Sequence, residues 1–349
     1  MYARIAVTAD ALTGSSLPDS IMNSMHRGLL EAINAHGRLV FSSPAEALDM
    51  IRLAGSTGGL PQDARKLWEV TLLRLRRHHR VTILDGTATP IPTALTLAEL
   101  RATWGMAADV AVVADSTGAR LGISPTAGMA SDPTAAPDVA VLPSATNCPR
   151  WQRHRDLTAR AIAATGSSRE DFWSEVLEPL ATDARNVTVL DRYLFATIWK
   201  RQTSPRPDLE HVTWLLQRLD SVMAADGQVQ LFSDELSKSS SFTAAQTAKQ
   251  VHDLWTPPAT GRIGKVTLKL AKSTPTDPFP HDRHIRFSTG AAIGVEAGFD
   301  RLRDTTVGDP DGMKWSYHWE TEILNTLQKR EDRASALSSA QHEATVLQR

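Results

Sequence analysis

Over its first 145 residues the chain alternates short apolar runs with longer amphipathic stretches, and few architectures accommodate that rhythm. ARIAVT (3–8), RLVFS (38–42), VTILD (81–85) and PDVAVLP (137–143) read as strands, each short and bounded by turn formers. Between them, Ile21, Met25, Leu29, Leu30 and Ile33 recur at helical spacing from Pro18-Asp19 to about Ala35. Ser43-Pro44 with Glu46 is a helix-start signature for 44–54, and Leu60-Pro61-Gln62-Asp63 opens another helix to about His79. That helix ends in RLRRHHR (74–80), where cations suit the outward carbonyl dipoles of a last turn. Thr93 or Thr96 caps a further helix through Trp104, and VAVVADSTGARLGI (110–123) predicts a hairpin turning at Ser116-Thr117-Gly118. Strand–helix alternation of this kind predicts a mostly parallel sheet covered by helices.

The second half repeats the theme. NVTVLDRYLFA (186–196), QVQLFSD (228–234) and GKVTLKLAK (264–272) read as strands, with helices expected over EDFWSEVLEPLATDA, from Pro207-Asp208-Leu209, and over FTAAQTAKQVHDLW. SKSSS (237–241) reads as a loop, and HDRHIRFSTGAAIGVEAGFDRL predicts two strands around Ser288-Thr289-Gly290. At 349 residues, two cores are the natural division. The expected fold class is therefore α/β with two domains, each a mostly parallel or mixed sheet flanked by helices. The expected boundaries are 1–146, a polar arginine-rich connector over 147–168, a second domain over 169–330, and a polar tail over 331–349.

Bulk properties narrow the classes. Apolar residues are 42% and charged residues 22%, a composition that folds rather than one that stays disordered. A formal net charge of -1 excludes a uniformly basic nucleic-acid coat, though local basic faces remain available. The single Cys148 excludes an intramolecular disulfide and a cysteine-based zinc site, and fits a reducing compartment. MYARIAVTADALTG lacks a secretory pattern, and no apolar run approaches the roughly 18 residues of a membrane span. With abundant alanine and arginine, the expectation is a soluble bacterial protein of the cytoplasm.

In a parallel sheet, ligands bind beyond the carboxyl ends of the strands, so polar residues delivered there are the site candidates. In the second half these are Asp191-Arg192-Tyr193, Ser233-Asp234, and His281-Asp282-Arg283 leading into a strand. An internal ion-pair network among Asp191, Asp282 and Arg283 is the structural alternative to a phosphate- or partner-binding site. In the first half they are Asp10, Glu46, Asp85, and Asp109 or Asp115, with capping of helix amides as the alternative role. The basic run from Arg74 to Arg80 is either a solvated helix end or a contact for a nucleic-acid backbone. Trp315-Ser316-Tyr317-His318-Trp319 supplies core or interface anchors.

Two resemblances attach to these residues. Asp191-Arg192-Tyr193, His281-Asp282-Arg283 and the stretch Gly290 to Asp300 resemble the phospholipase-D-like superfamily, in particular its MIT C-terminal branch, over about 150 residues. Active members of the superfamily use a nucleophilic histidine, a lysine two residues later and a downstream acid, and pair two such motifs. Here His281 stands at the nucleophile position, Arg283 stands where lysine belongs, Ser288 follows where the acid is absent, and no second histidine motif occurs. Hydrolysis through His281 would therefore need a homodimer, whereas Arg283 can still clamp a phosphate in a fork. The MIT C-terminal branch implies binding, to acidic lipid head groups or to a protein partner.

The strand-end acid in VTADALTG resembles the first acid of PIN-like nucleases. That likeness implies Mg²⁺ or Mn²⁺ held by Asp10, Glu46 and Asp109, with nucleic acid as substrate. Together the two resemblances imply a nuclease-like effector of bacterial antiviral defence. The alternatives are a non-enzymatic adaptor and a metal-independent dimeric nuclease using His281.

Overall fold

The structure is a computed structural model that describes every residue except 1, 14–16, 57–58, 85–89, 197–210, 235–242 and 339–341. Asp85, the turn at Gly14-Ser15-Ser16, the helix start at Pro207-Asp208-Leu209 and the SKSSS loop lie outside the described residues. The fold is α/β, in two compact units, Met1–Ala159 and Arg160–Arg349.

The first unit carries strands β1 (Ala3–Val7), β2 (Gly37–Phe41), β3 (Val81–Ile83), β4 (Val110–Val113), β5 (Met129–Ala130) and β6 (Asp138–Val141). Their order is β3-β2-β1-β4-β6-β5, and every pairing is parallel except that of β5. Helices α1 (Asp19–His36), α2 (Pro44–Gly55), α3 (Gln62–Arg77), α4 (Leu97–Trp104), α5 (Asp115–Arg120) and α6 (Pro149–Arg160) complete the unit. Two apolar cores result. One gathers Leu29, Ile33, Trp68 and Trp151, and the other gathers Ile91, Leu100 and Trp104.

Local chemistry explains the boundaries. Ser43 caps α2 by accepting the Glu46 amide at 3.3 Å, and Thr96 caps α4 by accepting the Glu99 amide at 3.1 Å. Residues 110–123 are not a hairpin. VAVV is buried at all four positions as a central parallel strand, and Asp115 opens α5 instead. A strand covered on both faces shows no alternation, so its unbroken apolar run is that of a parallel interior strand. The expected connector also changes character: α6 belongs to the first unit, with Cys148 and Trp151 in its core. Burial first, and then the nearby Asp138, push the Cys148 thiol up to about 12, so this sulfur is a packing group rather than a nucleophile.

The second unit is built on an eight-stranded mixed sheet of β7 (Ile162–Ala163), β8 (Asn186–Leu190), β9 (Gly227–Asp234), β10 (Ile263–Ala271), β11 (His284–Phe287), β12 (Ala291–Val295), β13 (Met313–His318) and β14 (Glu343–Gln348). The order is β14-β10-β9-β8-β11-β12-β13-β7, with only β8, β9 and β10 mutually parallel. The β11–β12 hairpin turns at Gly290, whose φ of 86° suits a residue without Cβ. Its helices are α7 (Arg169–Phe172) and α8 (Glu178–Ala181), joined by a π turn (Trp173–Leu177), then α9 (His211–Val222), α10 (Ala244–Trp255) and α11 (Thr321–Ala336). The expected polar tail is structured. α11 closes a small core of Leu190, Phe232, Ala271, Phe279 and Ala334, and β14 pairs antiparallel with β10 at the sheet edge.

Candidate functional site

The first sheet separates residues that the sequence places side by side. Asp10 follows β1, Glu46 follows β2 and Asp115 follows β4, all at the carboxyl edge, and Asp10 and Asp115 are exposed. Asp109 precedes β4 and so lies at the opposite, amino edge. β1 and β4 run parallel with Ile5 opposite Val110, which separates Asp109 from Asp10 by about 13–17 Å of strand. Asp109 is engaged there. Its carboxylate accepts the Arg4 amide at 2.8 Å and the Arg4 guanidinium at 2.8 and 3.2 Å. Burial pushes its pKa up, yet the hydrogen bonds and charge of Arg4 hold it below the ordinary carboxylate range.

Glu46 is engaged too, accepting the Ser42 amide at 2.6 Å and the Ser42 hydroxyl at 2.8 Å in a capping arrangement. Among the described residues no group of three or more His, Cys, Asp or Glu is placed to hold a metal ion. The expected Mg²⁺ or Mn²⁺ set of Asp10, Glu46 and Asp109 is therefore corrected: the three do not converge.

The second sheet does the reverse and gathers its candidates. Asp191 ends β8, Asp234 ends β9 and Ser273 follows β10, so three parallel strands deliver them to one edge. β11 enters antiparallel with His284 opposite Leu190, which brings Arg283 to the same edge. Asp191 is buried. It accepts the Tyr193 amide at 2.9 Å and the Phe299 amide at 2.9 Å, with Arg283 Nε at 3.7 Å. Gly298, at a φ of 97°, allows the β12 turn to approach, because a Cβ there would sit 3.0 Å from the Asp191 carboxylate. Arg283 in turn donates to the Glu296 carbonyl at 2.6 Å.

Beside this, Arg192 donates to Asp234 at 3.0 Å, and the Ser273 hydroxyl donates to both Asp234 oxygens at 2.8 Å. Tyr193 stands between the two clusters, 42% exposed. The Arg192 guanidinium lies 5.6 Å from its ring centre and that of Arg283 5.7 Å from the same centre, within cation–π range. Each arginine spends part of its fork on a buried acid or carbonyl and remains about a quarter exposed. The result is an Arg–Tyr–Arg surface held rigid from beneath by Asp191 and Asp234.

His281 is exposed and lies outside this network. Asp282 pairs with Arg330 of α11 at 2.6 Å and, like the buried Asp191, serves as a structural tie. Ser273, the Glu296 carbonyl and the Phe299 amide complete the site without a sequence signal of their own, because Ser273 and Glu296 sit in loops, Phe299 opens a short 3-10 turn, and two contribute only backbone atoms.

Burial is the largest influence on Asp191 and raises its pKa; the Phe299 and Tyr193 amides and the Arg283 charge act in the opposite direction. A carboxyl raised in the folded state contributes stability that is full below its unfolded pKa and lost as pH rises through the folded value. Asp191 is accordingly expected to titrate above the exposed aspartates in a carboxyl NMR titration. A value below theirs would show that the amides and Arg283 outweigh burial.

No protein-family model matches the chain, and no curated protein matches it either. No helix among the described residues is long and apolar enough to cross a membrane.

Proposed function

We propose that the second unit is a non-hydrolytic recognition module that holds an anionic group of a partner, a phosphate or a carboxylate, across Arg192 and Arg283 on Tyr193. The chain would then act as an adaptor. The observation that carries this reading is the pair of partly exposed guanidiniums flanking one exposed ring, each fixed by a buried acid. Such a fork is preorganised, so little side-chain entropy is lost when an oxyanion arrives. Hydrolysis has less support: His281 is outside the cluster, no lysine accompanies it, and the sequence offers no second histidine motif. The metal-dependent nuclease reading keeps Asp10 and Asp115 at one edge but loses Asp109 to the other.

The test is an NMR titration of the full chain with inorganic pyrophosphate and with a phosphoserine peptide. A hydrogen bond to a charged group contributes about 1.5–3 kcal/mol, so Arg192→Gln with Arg283→Gln should weaken binding at least about tenfold. His281→Ala should bind as the parent does. Unchanged affinity in the double arginine variant would overturn the proposal. Turnover of bis(p-nitrophenyl) phosphate that disappears in His281→Ala would replace it with the hydrolytic reading.

A further inference from the structure

One helix of the first unit turns to solvent a face that the unit itself does not use. α3 buries Ala64, Trp68, Thr71 and Leu75 at helical spacing, which fixes its inward side. Leu73 lies on the opposite side and is 61% exposed, and Val70 beside it is 65% exposed. Leu73 also belongs to a row of residues four apart, Glu69, Leu73 and Arg77, all exposed. Among the described residues neither Glu69 nor Arg77 has a side-chain partner. They are about 12 Å apart along the helix, too far to pair with each other.

The row reads acid, leucine, base, so its reverse is its own complement. In the commonest class of helix pair such rows run side by side, at a crossing of about 50° and an axial distance of about 8–10 Å. Two copies of α3 meeting antiparallel in this way, with a two-fold axis at Leu73, bring the two leucines together. Glu69 then faces the basic turn of the second copy, Arg76 and Arg77, and the second copy returns the same contact on the other side of the axis. Lys66 falls beyond the end of the second copy's α3, where the carbonyl dipoles of a last turn favour a cation.

Other occupants fit this face less well. Two exposed aliphatics and an acid among the cations do not suit a phosphate backbone, which rewards cations alone. A bilayer interface takes a broad apolar face edged by cations. Here acids interrupt the apolar surface: Glu69 on α3, and Asp49 between the exposed Leu48 and Ile51 of α2, which packs against α3. What the row requires opposite it is a base, an apolar residue and an acid at the same spacing. A second copy supplies that set, and two-fold pairing is the commonest symmetry of soluble oligomers.

We propose that the Glu69–Leu73–Arg77 face of α3 is a self-docking surface, through which two copies of this chain pair antiparallel about a two-fold axis at Leu73. The surface lies in a different unit from the Arg192–Arg283 site and does not depend on it.

The test is analytical ultracentrifugation of the full chain from about 1 to about 100 µM, a range suited to a small interface. The dimer fraction should rise with concentration. Leu73→Asp should raise the dissociation constant at least about tenfold, because it removes the apolar contact at the axis from both copies. Glu69→Arg alone, and Arg76→Glu with Arg77→Glu, should each sediment as monomers. An equimolar mixture of those two variants should recover the dimer, since their charges match across the axis, and recovery shows that both are folded. Leu73→Cys should give a disulfide-linked dimer on mild oxidation and Lys66→Cys should not, with Cys148 buried in both. A parent that stays monomeric at about 100 µM would overturn the proposal. So would an undiminished dimer in Leu73→Asp, no recovery in the mixture, or equal cross-linking of the two cysteine variants. Binding of phosphatidylglycerol vesicles or of a DNA duplex by a monomeric chain, lost in Leu73→Asp, would assign the face to that occupant instead.

Discussion

Arg80→Ala is expected to destabilise the first unit by about 3–5 kcal/mol, which for a unit of this size lowers its melting temperature by about 6–20 °C. Arg80 is fully buried, and its guanidinium is spread over carbonyls at the end of α1. Nε donates to Gly37 and Nη1 to Asn34, each at 2.8 Å, while Nη2 reaches the carbonyls of Ile33 and Gly37. The Ile33 and Asn34 carbonyls lie in the last turn of α1 and carry its partial negative charge. The ring of Tyr2 lies 4.1 Å beneath the guanidinium. Alanine would strip the guanidinium from these carbonyls and open a cavity beside Tyr2. Lysine would restore one charge but not a planar fork, so Arg80→Lys should recover only part of the loss. Calorimetry of the full chain decides the matter: an Arg80→Ala variant melting within about 2 °C of the parent would show that water replaces the guanidinium without cost.

That side chain also marks where sequence reading stops. RLRRHHR is legible as a basic helix end, and Arg76 and Arg77 are indeed exposed there. Nothing in the run itself distinguishes Arg80, which lies past the end of α3 and turns inward. Most strands and helices were legible because they carry local signals, such as the Ser43–Glu46 pair and the Thr96 cap. The strand β4 was legible but its place was not: it reads as a hairpin arm, since a buried parallel strand has no polar alternation to mark it as a sheet interior. β14 was missed for the opposite reason. Only Val346 of EATVLQ is buried, so an edge strand with polar sides looks like a tail.

The site divides along the same line. Asp191, Arg192, Tyr193 and Arg283 converge because β8 ends where β11 begins, and an acid directly after an apolar run is a strand-end residue in any parallel sheet. Asp109 shows the limit of that rule. An acid before a strand belongs to the other edge, and in ADVAVVAD the two aspartates, Asp109 and Asp115, bracket the strand from opposite ends. Spacing along the chain does not fix the edge; strand direction does.

Glu331 carries the second large expectation, and no local sequence signal points to it. It lies in the charged helix segment KREDRASA and reads as solvated, yet it is buried among partners 45 and 47 residues away. Its carboxylate accepts from His284 Nε2 at 3.0 Å and from Arg286 at 2.8 and 2.5 Å, tying α11 to β11. Glu331→Ala removes the shared acceptor of a buried imidazole and a mostly buried guanidinium, and should cost about 3–5 kcal/mol. Glu331→Gln keeps the shape but turns an NH₂ toward donors, so its loss should be smaller than that of alanine but still measurable.

The pH dependence identifies the cause. Burial raises the Glu331 pKa, but hydrogen bonds from Arg286 and His284, and then their charges, outweigh it and leave the folded value below the ordinary one. A depressed carboxyl contributes stability present above its unfolded pKa and lost as pH falls through the folded value. This is opposite in sign to Asp191. The stability difference between parent and Glu331→Gln should therefore be largest at neutral pH and shrink toward pH 3. Amide exchange along α11 should accelerate in both variants at neutral pH, because the helix loses its tie to β11. A Glu331→Ala protein within about 1 kcal/mol of the parent at neutral pH would mean that α11 is held by the Phe232, Phe279 and Ala334 core alone.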